Sequence, residues 1–346
     1  MNKIVVHRPG GFGQLKLETH ASPEPADDEV RVSTRAVGVN YADCIVRLGL
    51  YKSAKEFVGW PITPGFEFAG VVNAVGASVR SVSVGDPVFG VSLFGAYASE
   101  LVTKESFVRR MPAGLEMTQA ATFPVAFLTA WYALRELARV SAGASVLVHS
   151  AAGGVGSALC QLARANGVRC FGVVGSAHKV AHATAQGASA VVDKSREQLW
   201  ERAREFAPKG FDAIFDANGA DTLRESYAHL KPMGRLVIYG YHTMRSHGGI
   251  PNPFKLVWQF LRTPRFNPLD MVNRNVAVMA FNLSYLFEHA PLYRTAMDEL
   301  IGQLETGALT PLPVQEFPLA RAADAHRQIQ SGRTLGKLAL IPTDAP

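Results

Sequence analysis

Two periodicities divide the chain. Up to about residue 110, apolar residues, many of them β-branched, alternate with polar ones in 3–7, 15–20, 29–40, 66–76, 86–92 and 96–103, between Gly, Pro and Asp turns. A period of two predicts strands and a compact β-rich unit. Past Pro112 the pattern lengthens to helical spacing over 118–137 and then alternates between short apolar runs and helices. Strands are predicted at 145–149, 168–174, 189–193, 211–217, 234–240 and 276–281, with helices near 156–166, 177–186, 197–207 and 221–230. Such alternation specifies parallel βαβ units, and six strands suit a doubly wound α/β sheet. The tail returns to strands at 314–319 and 335–342 around a helix at 320–331, which predicts that it rejoins the first unit. The expected division is therefore 1–122 with 308–346 as one domain and 123–307 as the other.

Residues 243–275 interrupt the second domain with a stretch rich in Pro and aromatics that includes Phe254, Trp258 and Phe260. It holds five Lys or Arg against one Asp, so it supplies +4 of the chain's net +6. A lid, a contact with anionic membrane, a partner surface, or a connector that buries its own aromatics would each fit this composition.

The strand at 145–149 runs directly into Ala151-Ala152-Gly153-Gly154-Val155-Gly156 and a helix. Glycines in that strand-turn-helix position let the backbone approach a pyrophosphate whose charge sits on free helix N–H groups, so Gly153, Gly154 and Val155 are candidate dinucleotide contacts. An NAD enzyme holds the ribose 2′-hydroxyl with a carboxylate about 20 residues further on. Here the second strand ends Val174-Gly175-Ser176-Ala177-His178-Lys179 with no carboxylate. Ser176 and Lys179, joined by Lys194, offer a hydroxyl and cations to a 2′-phosphate, and NADPH is the expected cofactor.

At 346 residues the chain suits two or three domains, and 48% hydrophobic against 18% charged residues excludes disorder. A net +6 is too small to argue for nucleic acid, and the basic stretch lacks the extended aromatic and basic alternation of a single-strand binder. Three cysteines without a CxxC form neither a disulfide framework nor a zinc lobe, and the N-terminus has a Pro-Gly-Gly turn where a signal peptide needs an apolar core. A cytoplasmic setting is expected. The uncharged run 140–163 is broken by the glycine turn, unlike a membrane span. His178 and His182 share a helix face but have no third ligand nearby, so no metal is expected. No Gly-x-Ser-x-Gly elbow supports a hydrolase.

Several motifs in order carry a resemblance over essentially the whole chain: Gly38-Val39-Asn40-Tyr41-Ala42-Asp43, Arg47-x-Gly49-Leu50-Tyr51, Pro64-Gly65-Phe66-Glu67-Phe68-Ala69-Gly70, Val84-Gly85-Asp86, the glycine turn and the closing Gly336-Lys337. With these the sequence resembles the medium-chain dehydrogenase/reductase superfamily and its zinc-independent quinone oxidoreductase (zeta-crystallin-like) group. Leu230 to Arg235, the basic insert and Asn273-Arg274 through Leu286 resemble the vesicle amine transport protein branch. The resemblance implies a Rossmann domain beside a β-rich GroES-like catalytic domain, with the nicotinamide in the cleft between them. Zinc-dependent members carry Cys where Asn40 stands and His where Phe66 stands, and neither side chain here is a zinc ligand.

The resemblance further implies that the nicotinamide end meets Thr129, Gly240, Tyr241, Phe281 and Leu283, that Gly336 and Lys337 close the site, and that Asn40 and Tyr51 face the acceptor. Tyr51 would donate a proton after hydride attack and Asn40 would hold the acceptor oxygen. Ile45 stands where many quinone reductases carry a second tyrosine, which favours a more apolar acceptor. Expected are a homodimer and reduction of quinones or α,β-unsaturated carbonyls. The competing expectation is an NADPH-retaining adaptor that binds membrane or protein through 243–275.

Overall fold

The computed structural model describes residues 1–242 and 253–342. In the first unit β1 (Asn2–Val5) and β2 (Lys16–Thr19) pair antiparallel. They are followed by β3 (Glu29–Val39), β4 (Glu67–Val75), β5 (Pro87–Val91), β6 (Glu100–Lys104) and β7 (Val108–Arg110). The second unit contributes β8 (Ser145–His149), β9 (Arg169–Val174), β10 (Ala190–Asp193), β11 (Phe211–Asp216), β12 (Leu230–Ile238) and β13 (Ala277–Ala280); β14 (Val314–Pro318) and β15 (Lys337–Ile341) close the chain. β15 pairs antiparallel with β3, so the tail does rejoin the first sheet, whose order is β14-β15-β3-β4-β5-β7 with β6 on β3.

The second sheet runs β10-β9-β8-β11-β12-β13 with every pair parallel. Helices cover both faces, which is why β8 reads Ser-Val-Leu-Val-His with four consecutive buried residues rather than alternating. The order reverses direction at β8, and the glycine turn leaves its C-terminal end at that switch point, where ligands of open α/β sheets bind. One apolar core joins the two units: Ala36, Ala69 and Phe89 of the β-rich sheet pack in the same cluster as Phe127, Val146 and Phe215.

The helical stretch expected over 118–137 is broken by Pro124. Helix Met117–Thr122 stops, Pro124 opens helix Pro124–Trp131 at its first position, and Tyr132–Ala138 continues as a wider π-turn. Because a helix's first N–H groups have no partner within it, Val125 N is left to bond a side chain elsewhere. Two short helices, Tyr41–Arg47 and Lys52–Phe57, and the long Ala290–Glu305 lie where no helix is predicted.

Of the 243–275 insert, 243–252 lie outside the described residues. The remainder forms helices Pro253–Arg262 and Pro268–Arg274. A connector that buries its own aromatics is not what forms: Phe254 is 84% exposed, Trp258 59% and Phe260 73%.

Candidate active site

The glycine turn is held by backbone. Ala151 N donates to Val173 O (3.0 Å) and Gly153 N to Ser150 O (2.9 Å), with Ser150 in the left-handed region at φ 57°. A Cβ on Gly156 would overlap the Ser150 carbonyl oxygen, so the helix can start this close to the strand only with glycine there. Helix Gly154–Ala165 makes its first closing bond from Ser157 N to Gly153 O (2.8 Å). The amides of Gly154, Val155 and Gly156 precede that bond and are the ones a pyrophosphate would take. The turn therefore fits a dinucleotide. Gly336 N donates to Ala152 O (3.2 Å), which fastens the C-terminal segment to the turn.

From Gly336 the chain enters β15 with Lys337, whose stem runs past the turn; a Cβ on Gly154 would fall 2.7 Å from Lys337 Cδ. Its ammonium is buried and donates to Asn40 Oδ1 (2.5 Å) and Glu67 Oε1 (2.8 Å). Asn40 Nδ2 donates to the same Glu67 oxygen (2.8 Å), and Glu67 Oε2 accepts from Val125 N (2.8 Å), the amide released by Pro124. Strands β4 and β15, the residue that follows β3 and a helix of the other unit thus meet on one fully buried carboxylate. Asn40 opens helix Tyr41–Arg47, where its own N–H donates to Asp43 Oδ2 (2.7 Å). Asp43 also accepts from Gly65 N (3.0 Å) and Tyr97 Oη (3.1 Å). Complete burial nonetheless pushes its carboxyl up to about 7.

Tyr51 ends the turn before helix Lys52–Phe57, and its ring packs on Phe66 at 5.8 Å and Phe94 at 6.3 Å between centroids. The Tyr51 hydroxyl donates to Asn282 Oδ1 (2.7 Å) and lies 3.1 Å from Ser284 Oγ, both on the other unit just past β13. Burial raises its pKa, against the lowering pull of Ser284 and Asn282, so the phenol keeps its proton at neutral pH. The Tyr51 clasp is matched one turn away, where Tyr285 Oη donates to Glu56 (2.5 Å).

Of the other residues singled out from the sequence, Lys194 is exposed and lies beside Gly175, where a Cβ would sit 3.9 Å from Lys194 Cε. Ser176 is half-buried, and Lys179 Nζ donates to Gly332 O (2.5 Å). Thr129 bonds back to Val125 O (2.6 Å) on the helix that supplies the Glu67 contact. Gly240 packs on Ala217 past the end of β12, next to half-buried Tyr241. Phe281 stacks obliquely on Tyr132 at 4.8 Å, and Leu283 lines an apolar crevice with Leu128, Trp131 and Phe287. His182 Nε2 lies 3.0 Å from Ser157 Oγ.

Glu67, Asp43, Asn282 and Ser284 were not singled out as site residues. Asp43, Glu67 and Asn282 stand inside the quoted motifs, but only the fold shows what their side chains touch.

The alcohol dehydrogenase GroES-like domain family matches residues 26–113, and the zinc-binding dehydrogenase family matches 186–340. A quinone oxidoreductase of Pseudomonas aeruginosa is 33% identical over 96% of this chain and 97% of its own length. The chain belongs to the medium-chain dehydrogenase/reductase superfamily, in its zinc-independent quinone oxidoreductase group. The human synaptic vesicle membrane protein VAT-1 homolog-like is 31% identical over the whole chain and 82% of its own length. The solved quinone oxidoreductase of Escherichia coli, a complex with NADPH, superposes with TM-score 0.86 at 29% identity, covering 99% of this chain and all of that one.

Membership makes the chain an oxidoreductase, and the site explains how it departs from the zinc-dependent members. Asn40 is a carboxamide bonded to Lys337 and Glu67, and Phe66 offers only a ring packed between Tyr51 and Phe94. Among the described residues no three His, Cys, Asp or Glu side chains converge as ligands. The donor set here does not fit zinc.

Proposed function

We propose that the protein is an NADPH-dependent reductase of quinones or α,β-unsaturated carbonyls. The observations that support this reading are a half-buried Tyr51 whose phenol keeps its proton and an Asn40 carboxamide fixed by Lys337 and Glu67, together with a glycine turn that fits a dinucleotide. NADPH, when bound, supplies the hydride. Gly154 and Val155 would hold its pyrophosphate, Ser176, Lys179 and Lys194 its 2′-phosphate, and Thr129, Gly240, Tyr241, Phe281 and Leu283 would border the nicotinamide. Asn40 holds the acceptor oxygen as negative charge develops on it, and Tyr51 gives its hydroxyl proton to the carbanion or enolate. Because Asn40 and Phe66 cannot ligate a zinc ion that would polarise a plain ketone, acceptors already made electrophilic by conjugation suit the site. NADPH consumption measured across a panel of quinones and enones tests this; turnover of simple ketones in preference to every conjugated acceptor contradicts it.

A second reading, an NADPH-retaining adaptor working through 243–275, is favoured by one observation. Phe254, Val257, Trp258, Phe260, Leu261, Leu269 and Val272 are all more than half exposed on adjoining helices. Flotation with anionic vesicles, compared with a chain lacking that segment, tests it; equal flotation by both forms rules it out.

A further inference from the structure

A lysine beside a dinucleotide turn is ordinarily taken for a phosphate contact, and Lys337 has that place in the chain. Its ammonium points elsewhere. It is 5% exposed and bonded to Asn40 Oδ1 and Glu67 Oε1, with its stem against Gly154. The geometry points to Lys337 as a positioning residue for the acceptor site: it orients the Asn40 carboxamide through the shared Glu67 carboxylate and does not serve as a cofactor-phosphate ligand. This rests on Asn40 meeting the acceptor, as argued above.

The donor and acceptor chemistry of the three groups permits one arrangement. Lys337 can only donate and an ionised Glu67 can only accept. Asn40 must therefore present Oδ1 to the ammonium and Nδ2 to the carboxylate, as it does. Nδ2 carries two hydrogens; one is bound by Glu67, and the other has a direction set by the clamp. That second N–H is the group available to an acceptor oxygen. Without Lys337, Oδ1 loses its donor and the amide plane is held from one side only. Charge points the same way: Lys337 and Glu67 neutralise each other inside the protein, so the ammonium has no surplus charge to offer a phosphate. Because Lys337 also touches the glycine turn and Glu67 also holds Val125 N, the amide is referenced to both the cofactor seat and the helix bordering it.

The test uses Lys337→Met, Asn40→Ala and their combination in the full-length protein, with the acceptor the wild type turns over fastest. Three quantities are read: kcat, the Kd of NADPH by fluorescence titration, and the Kd of a non-reducible phenolate that mimics the acceptor oxyanion. Expected for Lys337→Met is a fall in kcat of about 10²-fold, the scale of a misplaced catalytic group. The phenolate should bind correspondingly more weakly and NADPH should change less than about threefold. In the Asn40→Ala background, Lys337→Met should add nothing further to either effect. A tenfold or greater rise in NADPH Kd with kcat at saturation unchanged would make Lys337 a cofactor ligand and overturn the inference. Effects of Lys337→Met that multiply with those of Asn40→Ala would overturn it too. If Asn40→Ala alone changes nothing, the acceptor role of Asn40 fails first, and Lys337 has nothing to position. Should Lys337→Met not fold because Glu67 is left as a lone buried charge, Lys337→Met with Glu67→Gln removes both charges, and the same three quantities decide.

Discussion

At Tyr51 a single hydroxyl links the two units, and its chemistry yields the sharpest residue-scale expectation. Tyr51→Phe should slow enone turnover about 10²- to 10⁴-fold with NADPH affinity unchanged. Quinones should suffer less, because a reduced quinone is a stabilised oxyanion that can take its proton from water. Comparing kcat for one enone and one quinone checks this; equal slowing means that the hydroxyl only orients the acceptor. Lys179→Ala should weaken NADPH far more than NADH, by on the order of 1.5–3 kcal/mol if its charge meets the 2′-phosphate. Parallel titrations of the two cofactors decide. The glycine turn was legible from its strand-turn-helix position, whereas Asn40 and Tyr51 were singled out only through the family resemblance. The sequence could not show that Lys337 is bonded to Asn40 or that Tyr51 is bonded to Asn282, because those contacts join residues 297 and 231 positions apart.

Among the elements, helix Tyr41–Arg47 carries a titratable group that ties its stability to pH. Asp43 holds its N-terminus through Asn40 N, yet the folded chain raises this carboxyl from 3.8 to about 7, chiefly by burial. A raised acid binds its proton more tightly in the native state than in the unfolded one. Its stabilising contribution is therefore complete below the unfolded value and is lost as pH climbs through about 7. Thermal stability should decline from about pH 4 to pH 8, and Asp43→Asn, though less stable overall, should show a shallower decline over that window. An unchanged slope in the variant would remove Asp43 as the cause. The six parallel strands were readable because buried runs bounded by turns are strong signals. The helices at Tyr41–Arg47 and Lys52–Phe57 were not, since short segments with mixed polarity gain their stability from packing rather than from pattern. The break at Phe123 depended on Pro124, whose consequence, a free Val125 N–H for Glu67, belongs to the fold.

For the whole molecule, β13 is the last strand of the parallel sheet, and among the described residues nothing pairs its outer edge. Val278 and Met279 there are only half-buried. An edge of this kind is covered in most native proteins, and a two-fold homodimer extending the sheet would cover it. Light scattering at micromolar concentration should give twice the 37.3 kDa chain mass; a monomer would refute the arrangement. No helix among the described residues is long and apolar enough to cross a membrane. The two-domain plan and the return of the tail to the first sheet were legible from periodicity, whereas the exposure of Phe254, Trp258 and Phe260 was not, because composition does not say which face a helix buries. What the molecule does is tested most directly by following the hydride itself. With NADPH deuterated at the transferred position and an enone as acceptor, mass spectrometry of the product should find one deuterium, on the carbon β to the carbonyl. A product without deuterium, or no NADPH consumed with any conjugated acceptor, would contradict the account.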